Sequence, residues 1–152
     1  MSEFVEVKTQ DLLGAALDWA VAMAEGYRVD PEGDGRSLIS PKGVFTSLSV
    51  RGAAEGFGYR PSSDWNQGGP LIEKYQVLLT PPSNLVHRNF GSFDKRNGWY
   101  ESGFWGSTIF GKERKYRRAS FHHPDSPLIV AMRAIAQFEL GDTLNVPKEL
   151  LA

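Results

Sequence analysis

Two rhythms of apolar and polar residues run along the chain. Phe4, Val5 and Val7 alternate imperfectly with Glu3 and Glu6 and are β-branched or aromatic, which predicts a short strand over 3–7. The rhythm then lengthens. Leu13, Ala16, Leu17, Ala20, Val21 and Ala24 recur every three or four residues, the spacing of one buried helical face, in a helix opening at Thr9 or just after it. Asp18 and Glu25 fall off that stripe, and Trp19 is assigned to the core. Gly26 stands where a left-handed residue would end the helix.

Short strands are predicted next. Asp30 to Arg36 is a turn cluster, and Ser37–Ile39 and Val44–Val50 read as strands joined by Ser40-Pro41-Lys42-Gly43. Residues 52–58 read as a glycine-rich loop and 59–70 as a polar loop carrying Trp65. Leu71–Leu79 is expected to be a strand, although neither of its faces is cleanly apolar. Trp99-Tyr100 and Phe104-Trp105 suggest short strands around Gly103. The clearest helix follows Ser126 and Pro127, a capping hydroxyl and a residue suited to the first helical position. Its stripe is Leu128, Ile129, Met132, Ile135, Ala136 and Leu140, and Gly141 ends it. Residues 143–146 are expected to form a last strand pairing with Phe4–Val7. The resulting expectation is an α+β fold over 1–152 as one domain, with two amphipathic helices packed on a small antiparallel sheet.

Composition narrows this reading. The chain has 152 residues, of which 41% are hydrophobic and 23% charged, the profile of a folded domain rather than a disordered one. There is no cysteine, which removes disulfides, Cys nucleophiles and Cys-type metal sites. No apolar run reaches the roughly 18 residues of a membrane span, and Met1–Lys8 lacks the apolar stretch of a secretory signal. A cytoplasmic protein without membrane contact is the expectation.

The net charge of −1 conceals a split. Residues 1–82 carry seven bases against eleven acids, whereas 83–118 carry eight bases against three acids. The whole chain is therefore not built for nucleic acid, but one segment is basic.

Three stretches carry a resemblance. They are Leu13-Gly14-Ala15-Ala16-Leu17-Asp18-Trp19-Ala20-Val21-Ala22, then Pro61-Ser62-Ser63-Asp64-Trp65-Asn66-Gln67-Gly68-Gly69-Pro70-Leu71-Ile72-Glu73, and Pro127-Leu128-Ile129-Val130-Ala131-Met132-Arg133 through Leu140-Gly141-Asp142. In this order they are similar to the NinX-like proteins of lambdoid bacteriophages and prophages. Ser-Asp-Trp followed by Gln-Gly-Gly-Pro is the most specific block. The basic region 83–118 departs from that pattern and reads as an enlargement. The resemblance implies a phage accessory protein of the host bacterial cytoplasm. It supplies no cofactor, oligomeric state or catalytic residues.

Three constellations are candidates for chemistry. Ser62, Ser63, Asp64, Trp65, Asn66 and Gln67 combine hydroxyls, a carboxylate, two amides and an indole. That mix suits a flat, polar-edged ligand stacked on the tryptophan. Packing of Trp65 and capping by Ser63 or Asp64 would explain the same residues. Lys112, Arg114, Lys115, Arg117 and Arg118, with Tyr116 among them, could neutralise phosphates, or be a solvated charged surface. His122, His123 and Asp125 invite a hydrolase reading, but no motif spacing supports it, and adjacent histidines in a strand point apart. The leading expectation is a non-enzymatic binding protein for a small anionic or nucleotide-like ligand or a host protein. A nucleic-acid accessory protein using 112–118 and a hydrolase are the alternatives. No metal or cofactor is implied.

Overall fold

A computed structural model describes residues 3–33, 35–48, 58–87, 99–102, 105–109, 121–123 and 126–151. Its elements, in order, are β1 (Phe4–Lys8), α1 (Gly14–Ala24), β2 (Arg28–Val29), β3 (Ser37–Ile39), β4 (Phe45–Ser47), α2 (Trp65–Tyr75), β5 (Leu78–Thr80), β6 (Ser83–His87), β7 (Trp99–Ser102), β8 (Trp105–Thr108), β9 (Phe121–His123), α3 (Pro127–Leu140) and β10 (Thr143–Pro147). The fold is α+β, as its sequence suggests. Among the described residues it has three helices rather than two, and several small antiparallel sheets instead of one.

The first and last strands pair antiparallel as expected, from Phe4 opposite Pro147 to Lys8 opposite Thr143. Val5 and Val7 turn inward and alternate with exposed neighbours. The buried Thr9 closes this ribbon: its hydroxyl donates to the Gly141 carbonyl at 2.6 Å and its amide to the Asp142 carbonyl at 2.9 Å.

Helices α1 and α3 form the centre of the core. Ala16–Ala22 of α1 and Val130–Ala136 of α3 are buried throughout. A helix buried on every side loses the single-stripe pattern. This is why Asp18, off the stripe in sequence, is only 4% exposed. Small side chains at Ala20, Ala131 and Ala134 shorten the distance across which helices can pack. Arg133 is buried as well, and its Nε donates to the Leu12 carbonyl at 2.9 Å. The start of α3 follows expectation, with Ser126 Oγ accepting from the Ile129 amide. On another side of α3, Ser107 of β8 donates its hydroxyl to the Val130 carbonyl at 2.7 Å, tying the β5–β8–β9 sheet to the helix.

The largest correction concerns 59–79. The polar loop expected over 59–70 becomes helix α2 at Trp65, and the strand expected over 71–79 is helical to Tyr75, with β5 confined to Leu78–Thr80. Asp64 caps this helix, its carboxylate accepting from the Asn66 amide at 2.9 Å. Gly-Gly-Pro reads as a breaker in isolation. Here Gly68 is needed for close approach: a Cβ there would stand 2.5 Å from the Pro61 carbonyl oxygen and 2.7 Å from Leu128 Cδ2. Leu71, Ile72 and Tyr75 then pack against the core at helical spacing.

Candidate functional site

The end of α1 shapes one wall of an open groove. The Tyr27 amide donates to the Ala22 carbonyl at 2.9 Å and the Gly26 amide to the Met23 carbonyl at 3.1 Å. Gly26 has φ +83°, so this is the paired-bond helix stop that a left-handed glycine permits. It delivers Glu25 and Tyr27 side by side. The hairpin of β3 and β4 supplies the second wall, with Ser40 accepting from Val44 through its side chain to hold the turn.

Tyr59 arrives from the opposite end of the chain segment. Its amide donates to the Ser47 carbonyl at 2.8 Å, extending β4, and Leu48 and Tyr59 form a parallel bridge. The Tyr59 ring lies against Tyr27, with centroids 4.9 Å apart and planes tilted by 43°. Helix α2 completes the groove. Its cavity volume is about 900 Å³, with Tyr27, Tyr59 and Leu71 beside Pro41, Val44 and Phe45 as apolar surface. Glu25, Ser40, Lys42, Thr46, Gln67 and Lys74 provide the polar surface. Lys74 pairs with Glu25, whereas Lys42 is exposed at the rim.

Burial first, and the Glu25 charge second, raise the Tyr27 pKa. Burial also pushes Tyr75 up to about 12, with Glu25 and Glu139 adding to it. Tyr59 is raised chiefly by burial and then by its neighbour Tyr27 and the Glu25 carboxylate. These hydroxyls are therefore neutral at physiological pH and remain able to donate. The groove offers ring faces, neutral hydroxyls and a cationic rim, a set suited to holding a ligand.

The six residues singled out in 62–67 do not converge on this groove. Gln67 lines it and also builds it: its Oε1 accepts from the Arg60 amide at 2.8 Å and its Nε2 donates to the Gly58 carbonyl at 2.8 Å. Ser62 is buried, and its amide donates to Asp18 at 2.9 Å. Asp64 caps α2 and pairs with Arg60 at 3.1 Å. Ser63 is exposed and bonds back to the Arg60 carbonyl through its amide. Asn66 is exposed too. Trp65 is 55% exposed and is not among the groove residues. Two helical positions are about 200° apart, so Trp65 and Gln67 face opposite ways.

Lys112, Arg114, Lys115, Arg117 and Arg118 lie outside the described residues, as does Asp125. His122 and His123 are consecutive in β9, opposite Gly106 and Trp105. Among the described residues, no cluster of three or more His, Asp or Glu side chains is placed to hold a metal ion. Nor is any helix there long and apolar enough to cross a membrane.

Tyr27, Tyr59, Glu25, Phe45 and Lys74 carry the groove but were not singled out by their sequence pattern. One signal was present: Tyr27 directly follows the helix-ending Gly26, so its position is fixed by the stop. Nothing in the linear pattern brings Tyr59 to it.

Comparison with curated proteins gives no match. The family model described as bacteriophage P22, NinX matches residues 8–137, running from the end of β1 through the basic region to α3. The chain thus belongs to the bacteriophage P22 NinX family.

Proposed function

We propose that this phage accessory protein is a non-enzymatic binding protein of the host cytoplasm, and that it holds a small, ring-bearing anionic ligand of nucleotide-like chemistry in the groove between the β3–β4 hairpin and α2. The Tyr27–Tyr59 ring pair carries this reading, because it sets two aromatic side chains in the wall of a cavity of ligand size. Stacking against such rings is sequence-tolerant and favourable for any flat ring. Lys42, exposed at the rim of the same groove, supplies positive charge for an anionic group, while Lys74 is paired with Glu25. Gln67 keeps its place in the proposed site through its groove position.

The test is calorimetry and thermal shift with phenyl phosphate, nucleoside monophosphates and inorganic phosphate, with product analysis of each mixture. Binding of the ring-bearing phosphates without turnover supports the reading. Failure of all of them to bind at millimolar concentration rejects it, and product release makes the protein an enzyme.

A host protein is the second reading. Phe45, 69% exposed, and its exposed neighbour Val44 favour it, since they extend the groove's apolar surface outward at the hairpin tip. Capture of a host protein that is lost on Phe45→Ser would support it.

A further inference from the structure

We propose that the outer edge of β4 is a strand-addition site: an extended segment of a partner protein, apolar at alternate positions and bearing an acidic residue, pairs with the backbone at Phe45 and lays its side chains into the groove. This deepens the host-protein reading above and rests on it. The observation that carries it is the direction of the β4 backbone. The Ser40 amide donates to the Val44 carbonyl at 2.8 Å, and the Leu48 amide to the Arg36 carbonyl at 2.8 Å. Backbone groups of an antiparallel strand alternate between its two sides. Val44, Thr46 and Leu48 therefore bond toward β3, and the N–H and C=O of Phe45 and Ser47 turn away from it.

β4 ends the β2–β3–β4 sheet, so that outward side is an edge. The chain itself adds a segment there: the Tyr59 amide donates to the outward Ser47 carbonyl at 2.8 Å. That pairing is a single bridge, Leu48 to Tyr59, because Gly58 at φ +88° leaves the extended conformation. Among the described residues, no other segment pairs with the edge at Phe45. The groove runs along this edge, since Val44, Phe45 and Thr46 line it together with Gly58 and Tyr59. Edge strands are commonly guarded by charge. Exposed Glu6 and Lys8 stand on β1 and exposed Arg28 on β2, whereas Phe45-Thr46-Ser47 carries no charge.

These features choose the occupant. An outward N–H and C=O on one residue are matched by the backbone of an extended chain, which gains affinity from main-chain bonds and specificity from alternate side chains. Phe45, Tyr27 and Leu71 give those side chains an apolar surface. Of the three charged residues of the groove, Glu25 and Lys74 pair with each other, and exposed Lys42 is left to attract an acid.

The proposal is tested by panning a displayed library of random nonapeptides on the protein and measuring the enriched peptides by calorimetry. Enriched sequences should be apolar at alternate positions with an acidic residue, and Lys42→Ser should weaken them about three- to tenfold at low salt. Methylating the backbone nitrogens along one edge of the peptide should weaken binding about tenfold or more, and along the other edge should leave it unchanged. Phe45→Pro deletes an amide that the β3–β4 ladder does not use, so the hairpin should persist while binding is lost. Phe45→Val keeps that amide and should weaken binding only about two- to fivefold. If Phe45→Pro unfolds the hairpin, the methylated peptides still decide. Equal losses in both variants, with no effect of methylation, assign binding to the Phe45 ring and overturn strand addition, leaving the host-protein reading standing. Failure to enrich any peptide also overturns strand addition, and the host-protein reading then stands or falls on its own Phe45→Ser capture. Self-association by light scattering that disappears in Phe45→Pro gives the edge to a second copy and overturns the partner-segment proposal.

Discussion

The amide of Ser62 donates to the carboxylate of Asp18 at 2.9 Å, joining the turn before α2 to the middle of α1 across 44 residues of sequence. The Ser62 hydroxyl donates to the same carboxylate, and Arg60 lies near enough to favour its charge. Burial outweighs all three and raises the Asp18 pKa from 3.8 to about 6. A carboxylate whose folded pKa lies above its unfolded value destabilises the fold once it ionises.

The folded protein therefore holds a proton on Asp18 that the unfolded chain releases near pH 4. The contribution of this group falls as pH rises from about 4 to about 6 and is flat above that, a loss of about 3 kcal/mol. Asp18→Asn keeps an acceptor for Ser62 and removes the charge, so its stability relative to wild type should improve across that window. Asp18→Ala orphans the Ser62 amide and should cost about 1–3 kcal/mol at low pH. Urea unfolding at pH 4.5, 6 and 7.5 measures both. A wild-type-minus-Asn difference that is constant with pH would contradict the linkage.

Adjacent glycines in α2 should respond very differently. Beyond its chain neighbours a Cβ at Gly69 meets nothing within 4 Å, and the helix-propensity gain of alanine is offset by the Pro70 ring that follows, so Gly69→Ala should fall within about 0.5 kcal/mol of wild type. Alanine at Gly68 would force the Pro61 backbone and Leu128 apart, and should cost about 1–3 kcal/mol net. Thermal unfolding of the two single variants decides this, and a Gly68→Ala protein as stable as wild type would contradict the close approach.

Gln76 ends α2 in the left-handed conformation, with φ +50°. Its amide donates to Glu73 and that of Val77 to Ile72, the same paired-bond stop as at Gly26 but without the glycine. Side chains other than glycine are strained there by about 1–2 kcal/mol. Gln76→Gly should therefore raise stability by about 0.5–1 kcal/mol, after the entropy cost of glycine. A fall in denaturation midpoint would show that the Gln76 side chain itself holds the stop.

Trp65, Asn66 and Gln67 are neighbours in sequence with different roles in stability. Trp65→Ala should cost less than about 1 kcal/mol, far below the roughly 3–5 kcal/mol of a core aromatic, because over half of the residue is in solvent. Asn66→Ala should fall within about 0.5 kcal/mol of wild type, as surface substitutions usually do. Gln67→Ala removes the bonds that anchor Gly58 and Arg60 and should cost about 1–3 kcal/mol. Chemical denaturation of the three variants tests the order, and a larger loss for Trp65 than for Gln67 would reverse it.

The Gln67 result bears on what was legible in the chain. Two adjacent carboxamides look surplus to making a turn, and one of them is in fact the strut that holds Gly58 and Arg60 beside the groove. A side chain that bonds backbone seven and nine residues away leaves no periodic trace. The α2 helix was hidden for a related reason. Its cap at Asp64 and its inward residues at Leu71, Ile72 and Tyr75 have helical spacing, but Gly68-Gly69-Pro70 interrupts the local preference. Packing against Pro61 and Leu128 overrides that preference, and a linear reading contains no packing.

What the sequence determined by itself is the α+β character, the family resemblance, the helix over 127–140 with its Ser126 cap, and the β1–β10 ribbon. The helix and its cap rest on interactions within a few residues, and each strand of the ribbon is legible from its own local pattern, although their pairing joins opposite ends of the sequence. Tertiary structure alone decided the burial of Asp18, the course of α2 and the meeting of Tyr27 with Tyr59. Each depends on groups tens of residues apart being brought into contact, where desolvation and close packing, rather than local preference, set the outcome.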